Sequence, residues 1–190
     1  VDFFDTDKQR IIQLYPALLK DAADNHLLVD LHGATLPRGF ERTYPNMLTT
    51  EAIRGAETLG RQERCDQAAK HNATVPFTRN LVGSMDYTPV TFSDKVRQGV
   101  PAIRKTTMGH QLALAVVFES GFQCFADKAE SYLSLPEQPK QFLKEVPAAW
   151  DESLLLAGYP ADYAVVARRS GDVWYLSLIH ISEPTRPLYI

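Results

Sequence analysis

Apolar runs and amphipathic stretches alternate along the first part of the chain. Residues 1–4 form a short β run that ends in charge at Asp5 and Asp7. Over residues 7–24, Ile11, Ile12, Leu14, Leu18, Leu19 and Ala22 recur at helical spacing, the mark of a helix with one buried face. Pro16 does not fit a helix interior, so a break is expected near Tyr15, with Pro16 opening a second helix. Residues 27–31 then read as a buried strand. Strand, helix, strand over about 30 residues is a βαβ unit, with parallel pairing and a right-handed crossover.

The stretch 27–57 departs from this regularity. An apolar start turns polar at Asp30 and His32, beside Gly33, and runs into a loop with Pro37, Gly39 and Pro45. A buried strand that spills into a long charged loop is how an α/β barrel delivers residues to its active face. Thr49 or Thr50 is expected to cap a helix through Ala52, Ile53 and Ala56. Residues 60–70 are polar enough for a solvated helix or loop. Residues 73–78 and 122–125 read as strands, 106–117 as a strong helix, and 134–146 as a helix that opens with prolines.

The last part changes character. Residues 163–167 and 173–176 are β runs around Arg169-Ser170-Gly171-Asp172, a hairpin signal. Antiparallel β after repeated β/α predicts that the chain leaves a barrel and begins a β domain. Residues 177–187 (SLIHISEPTRP) resemble translated sequencing-adaptor DNA and are not expected to continue the hairpin. The expected organisation is α/β: residues 1–150 as the C-terminal half of a (β/α)8 TIM barrel, 151–176 as the first strands of a C-terminal β-sandwich, and 177–190 as a non-native tail.

Composition narrows the functional classes. The chain has 190 residues and is 45% hydrophobic, enough for one sizeable core. Its net charge of -3 gives no electrostatic reason to expect a nucleic-acid or membrane partner, and no apolar run is long enough to span a bilayer. Cys65 and Cys124 are too few for a disulfide framework and form no CxxC metal motif. The chain starts without Met in what reads as a strand in progress, so it is expected to be an internal piece of something longer.

The candidate chemistry is carboxylate chemistry. Asp2, Asp5, Asp30, Glu41, Glu51, Glu57 and Asp86 fall at strand ends or on loops. A pair of such groups is the minimum apparatus for glycoside hydrolysis, with one protonating the leaving oxygen and the other attacking or activating water. Glu51 and Glu57 are six apart, which is not single-face helical spacing. If the chain bends near Arg54-Gly55 they converge on a hard-cation site suited to calcium; otherwise Glu51 is a first-turn charge favoured by a helix dipole. His32 lacks a second close His for zinc, so a hydrogen bond to a sugar hydroxyl or to a neighbouring residue is expected of it. Arg38 and Arg42 are candidates to pair with the carboxylates, and Tyr44, Phe77, Tyr87 and Phe118 to form an aromatic sugar platform.

His32-Gly33-Ala34-Thr35-Leu36-Pro37-Arg38-Gly39, Arg42-Thr43-Tyr44-Pro45-Asn46, residues 51–57 (EAIRGAE), Pro76-Phe77-Thr78-Arg79, Met85-Asp86-Tyr87-Thr88-Pro89 and His110-Gln111-Leu112-Ala113-Leu114 follow one another as in a known family. Together they resemble glycoside hydrolase family 97 over residues 1–176. The resemblance implies a large secreted or periplasmic bacterial enzyme that hydrolyses terminal α-glucosidic or α-galactosidic bonds of oligosaccharides with Ca2+. An N-terminal β-sandwich and the first half of the barrel would have to be supplied in cis, and this piece alone is expected to be inactive. Inverting members carry a catalytic Glu directly after the His of the first motif, where this sequence has Gly33. Retaining, α-galactosidase-like members have Gly there and use an Asp at an earlier strand end. The resemblance therefore implies Asp2 as nucleophile, Glu57 as general acid/base and close to calcium, Glu51 as a calcium ligand, and His32, Arg38 and Asp86 on the substrate. The alternatives are an α-glucosidase of the same family and a non-catalytic carbohydrate-binding or degenerate barrel.

Overall fold

The computed structural model describes residues 1–95 and 99–181. Its first part is a row of parallel segments in register. Strand β1 (Val29–Leu31) pairs with β2 (Met47–Thr50), with Leu31 opposite Thr50. Thr50 then bridges to Met85 in parallel. On the other side, His32 N–H donates to Val1 O at 2.8 Å and the Val1 amine to Asp30 O at 2.9 Å, the two bonds of a parallel bridge between Val1 and Leu31. Met85 N–H donates to Glu119 O at 3.0 Å, which carries the row to a fifth segment. The row is packed closely at that end, since a Cβ on Gly121 would fall 2.7 Å from Leu48 O.

Helices cover the outer side of the row. α1 (Gln9–Ile12) and α2 (Leu14–Asp24) connect the first segment to β1. Tyr15, Leu19 and Ala22 of α2 bury against Val29, Leu31 and Met47. The expected break falls at Gln13, before Tyr15, and Pro16 sits in the first turn of α2, where its missing N–H has no intrahelical acceptor to serve. α3 (Gln62–Asn72) buries Cys65 and Ala68, and α4 (Met108–Val117) begins at Thr107, whose hydroxyl accepts the His110 N–H. α5 (Ala129–Leu133) and α6 (Glu137–Glu145) follow. No helix among the described residues is long and apolar enough to cross a membrane.

Several expectations are corrected. Residues 47–50 form a strand, so Thr49 and Thr50 are buried ladder residues and not helix caps. Ala52 takes a φ of 38°, which no helix continues through, and the next turn is a 3-10 helix at Ala56–Gly60. Glu51 is therefore not a first-turn helix charge. Residues 73–78 are not a strand. Pro76 lies in a 3-10 helix at Val75–Phe77, consistent with its inability to donate to a ladder. Residues 1–4 and 122–125 are not assigned as strands either.

The end of the chain is an antiparallel sheet of β3 (Glu152–Tyr159), β4 (Tyr163–Ser170) and β5 (Val173–His180), in that order. β5 runs past Leu176: Val166 pairs with Ser177 and Tyr163 with His180. Ser177 donates to Ala113 O of α4 at 2.9 Å and Ile179 is buried. The expectation that residues 177–180 would not continue the hairpin is corrected by these contacts; residues 182–190 lie outside the described residues. One sheet face packs on α4, with Ala164 and Ile179 in the same cluster as Leu114, Val117 and Met85.

Arg168 fixes that docking. Its Nε donates to Val116 O at 2.7 Å and its Nη2 to Val117 O at 3.1 Å, while Nη1 reaches Ser153 at 2.7 Å. The last carbonyls of a helix have no intrahelical donor, and a cation at this end suits the helix dipole. Arg168→Leu leaves both carbonyls buried and unpaired. In a full-length protein carrying this segment it is expected to cost about 2–4 kcal/mol, read from the shift of the urea midpoint. A loss below ~0.5 kcal/mol would show that the sheet docks without it.

Candidate active site

The residues that follow the paired row stand at one rim. Val1, Leu31, Thr50 and Met85 share a level, so Asp2, His32, Glu51 and Asp86 share the next. Leu31 is turned toward α2, and the pleat sends Asp30 and His32 to the other side. Beyond the rim the backbone turns left-handed each time. Phe3 has φ 66°, Gly33 50°, Ala52 38° and Thr88 52°. Three of these are not glycine, and such residues are costly and concentrate at functional sites.

Asp2 and Gly33 occupy adjoining space. A Cβ built on Gly33 would lie 2.8 Å from Asp2 Oδ1 and 2.8 Å from Phe3 N. Together with its positive φ, this closes position 33 to any side chain while Asp2 keeps its place. Asp2 Oδ1 accepts the Phe3 N–H at 2.6 Å. The Gly33 N–H donates to Glu51 Oε2 at 2.8 Å, which ties the loop after β1 to the residue after β2.

His32 is the hub. Its Nε2 donates to Asp86 Oδ2 at 2.7 Å and lies 3.5 Å from Asp30 Oδ2, while Nδ1 lies 3.8 Å from Glu51 Oε2. The Asp86 side chain is 1% exposed, and its Oδ1 accepts the Thr88 N–H at 3.1 Å. Burial works against a charged imidazole, but the hydrogen bond to Asp86 and the charges of Asp30, Asp86 and Glu51 outweigh it and raise the His32 pKa. Asp30 is pushed up to about 7 by burial and by the neighbouring Asp86. The same two carboxylates add to burial in raising the Cys124 thiol.

The structure thus brings together Asp2, His32, Glu51 and Asp86 of the expected residues, and it adds Asp30, which sequence reasoning had only as one acidic residue among seven. Its position two before His32 on an alternating strand was the available signal. Glu57 is exposed in the Ala56–Gly60 turn, with no hydrogen bond or ion pair to these groups; the turn is held by the Ala56 N–H on Tyr87 O at 2.9 Å. Arg38 is on the surface, 4.0 Å from Asp7. The aromatic platform is corrected: Tyr87 and Phe118 are core residues, 2% and 1% exposed, with ring centroids 4.7 Å apart.

Two cation sites can be tested against these positions. Asp30, His32 and Asp86 have donor atoms within 4.8 Å of one another. The 2.7 Å separation of His32 and Asp86 is a hydrogen bond with a proton between the atoms, so those two atoms are occupied by each other, while Asp30 Oδ1 is buried without a partner among the described residues. Glu51 and Glu57 are oxygen donors of the kind calcium takes. Glu51 uses Oε2 for Gly33, and no hydrogen bond from a described residue reaches its Oε1.

Comparison with known proteins bears on both ends of the chain. Residues 1–53 match the family model described as Glycoside hydrolase 97, and residues 149–188 that described as Glycosyl-hydrolase 97 C-terminal, oligomerisation. A probable retaining alpha-galactosidase of Streptomyces bingchenggensis is 40% identical over 176 residues, covering 93% of this chain and 26% of that protein. A retaining alpha-galactosidase of Bacteroides thetaiotaomicron is 37% identical over 188 residues, covering 93% and 27%. Among solved structures, a beta-arabinopyranosidase is similar with a TM-score of 0.89 at 39% identity, over 95% of this chain and 29% of that one. A glycoside hydrolase family 97 enzyme from Pseudoalteromonas sp. strain K8, in complex with panose, is similar with a TM-score of 0.77 at 34% identity, over 92% and 27%. The resemblance to family 97 is therefore shown, and these relatives are glycoside hydrolases. The chain spans about a quarter of the length of the curated relatives it matches.

The raised pKa of Asp30 has a consequence for stability. The folded chain holds this proton more tightly than the unfolded chain, so this group's contribution falls as pH rises from about 4 to about 7. Asp30→Asn removes that fall. Its stability relative to wild type is expected to be greater at about pH 7.5 than at about pH 4.5, compared by urea midpoints. An equal difference at both pH values would place Asp30 in an ordinary titration range.

Proposed function

We propose that this family 97 chain is a piece of a retaining, exo-acting glycoside hydrolase that cleaves terminal α-galactosidic bonds by double displacement. The observation that carries the reading is the seating of Asp2 against Gly33, where a Cβ would be 2.8 Å from the carboxylate. A base at position 33, as inverting members have, and a nucleophile at Asp2 exclude one another in this space.

In the proposed reaction the Asp2 carboxylate attacks the anomeric carbon. The glycosidic C–O bond breaks as Glu57 gives its proton to the leaving oxygen. Glu57 then takes a proton from water, whose oxygen attacks the anomeric carbon and expels the Asp2 carboxylate. Two inversions return the original anomer. His32, fixed by Asp86 at 2.7 Å, holds a sugar hydroxyl, and Arg38 reaches the substrate from its surface position beside Asp7. Glu51 and Glu57 would hold calcium through carboxylate oxygens, the donors it prefers, and the bound ion would supply fixed positive charge for orienting sugar hydroxyls. The remainder of a (β/α)8 barrel and an N-terminal domain complete the site in cis, in a periplasmic or secreted enzyme.

A second sugar has specific support. The neighbour with a TM-score of 0.89 is a beta-arabinopyranosidase. An L-configured β-arabinopyranoside has the ring hydroxyl arrangement of an α-D-galactoside without its hydroxymethyl group. The α-glucosidase alternative differs at the 4-hydroxyl.

The test uses a full-length protein carrying this segment, with calcium and the p-nitrophenyl α-galactoside, β-L-arabinopyranoside and α-glucoside. Hydrolysis of the galactoside with retention, followed by NMR of the first-formed anomer, is expected. Asp2→Ala should lower kcat by about 10⁴-fold and recover turnover with azide, which leaves as the β-galactosyl azide. Inversion, or an Asp2→Ala enzyme within about tenfold of wild type, would remove Asp2 from the nucleophile role.

A further inference from the structure

The loop that carries Glu57 leaves the rim at Glu51, turns at Ala52 and is then fixed from behind. Gly55 lies flat on the segment that follows Asp86. A Cβ there would fall 2.9 Å from Tyr87 O, and the same carbonyl accepts the Ala56 N–H at 2.9 Å. One residue before Gly55, Arg54 O lies 2.8 Å from His71 Nε2. A carbonyl oxygen can only accept, so this nitrogen carries the hydrogen and donates it. His71 is the second-last residue of α3, and its ring lies beside that of Tyr87, with centroids 6.1 Å apart. Asn72, the last residue of α3, accepts the Tyr87 hydroxyl at 2.7 Å and donates to His110 Nε2 at 3.0 Å. The end of α3 therefore grips the loop twice, at Arg54 through His71 and at Tyr87 through Asn72.

The two fixings differ in kind. The Gly55 contact and the Ala56 bond are made by backbone against backbone. The bond to Arg54 O is made by one side chain, three residues before Glu57, and no other hydrogen bond from a described residue reaches that oxygen. We propose that His71 is a positioning residue for Glu57: it holds the Arg54 carbonyl, and with it the loop from which the Glu57 carboxyl gives its proton. In the hydrolase reading, on which the kinetic part of the proposal rests, His71 touches no reacting atom. Proton transfer to a leaving oxygen works only from hydrogen-bond reach, and a misplacement of about 1 Å can cost about 100-fold in rate. His71 therefore matters where the leaving group needs a proton and not where it leaves without one.

The test compares His71→Phe and His71→Gln in a full-length protein carrying this segment. Phenylalanine keeps a ring beside Tyr87 and removes the donor; glutamine offers an amide N–H to the carbonyl. Hydrogen exchange is read at the amides of Gly55, Ala56 and Thr58, all of them hydrogen-bonded. They should exchange at least about tenfold faster in His71→Phe, with α4 and β4 unchanged, and near the wild-type rate in His71→Gln. Kinetics use methyl α-galactoside, whose alkoxide must take a proton to leave, and 2,4-dinitrophenyl α-galactoside, whose phenolate need not. His71→Phe should lower kcat/KM about 100-fold on the first and less than about threefold on the second. His71→Gln should stay within about fivefold of wild type on both. Equal losses on the two substrates, or unchanged exchange at the three amides in His71→Phe, would overturn the proposal. Where the phenylalanine variant does not fold, the glutamine variant decides: kept protection of the three amides supports the proposal and lost protection overturns it. If wild type hydrolyses none of the glycosides, the hydrolase reading fails, and the exchange rates still decide whether His71 holds the loop.

Discussion

The register of the parallel row is the constraint on which the site depends. Backbone bonds set Val1, Leu31, Thr50 and Met85 at one level, and the residue after each is Asp2, His32, Glu51 or Asp86. The period of a strand is two, so a slip of one residue in any segment would turn that polar group outward and bring an apolar one to the rim. The outer face opposes such a slip. Leu31 and Val29 pack on Tyr15, Leu19 and Ala22 of α2, and burying those side chains contributes about 1.5–3 kcal/mol each. The site is thus held mainly by apolar contacts on the side of the row away from it.

The second device is the left-handed residue beyond each rim position. Phe3, Gly33 and Ala52 directly follow Asp2, His32 and Glu51, Thr88 follows Asp86 by two, and each turns the chain away while those polar side chains remain at the mouth. For Phe3, Ala52 and Thr88 this costs of order 1–3 kcal/mol each. Local bonds offset part of that cost, among them the Phe3 N–H on Asp2, the Thr88 N–H on Asp86 and the Thr88 hydroxyl on Tyr87 O. Only Gly33 among these announces its conformation in the sequence. The other three are ordinary residues whose backbone is decided by tertiary pairing.

That difference explains what was legible. The helical stretch before β1, β1 itself, the helix at α4 and the hairpin of β4 and β5 follow from local pattern, because each carries enough apolar residues at one period to specify itself. Strand β2 does not. Its four residues, Met47-Leu48-Thr49-Thr50, include two threonines that resemble helix caps until their partners are known: Thr50 donates to Leu31 O, and the Ser120 hydroxyl donates to Thr49. Residues 73–78 fail for the opposite reason, being apolar enough for a strand but broken by Pro76. At the site, the motifs gave His32, Asp86 and Glu51 as single residues. What they could not give is the Asp30–His32–Asp86 contact, which needs β1 and the segment at Met85 to be placed on either side of β2.

Charge balance then accounts for the chemistry of the rim. Asp30, Glu51 and Asp86 crowd one imidazole, and Asp2 stands beside Gly33. Such a site holds its protons or gathers cations to limit the repulsion. It does the first at His32 and Asp30, whose pKa values are both raised. The arrangement is asymmetric in a useful way. Asp2 is exposed and accepts the Phe3 N–H, while the Asp86 side chain is 1% exposed. Separating the carboxyl groups by depth leaves the outer one facing solvent while Asp86, deeper in, is held by His32 and Thr88.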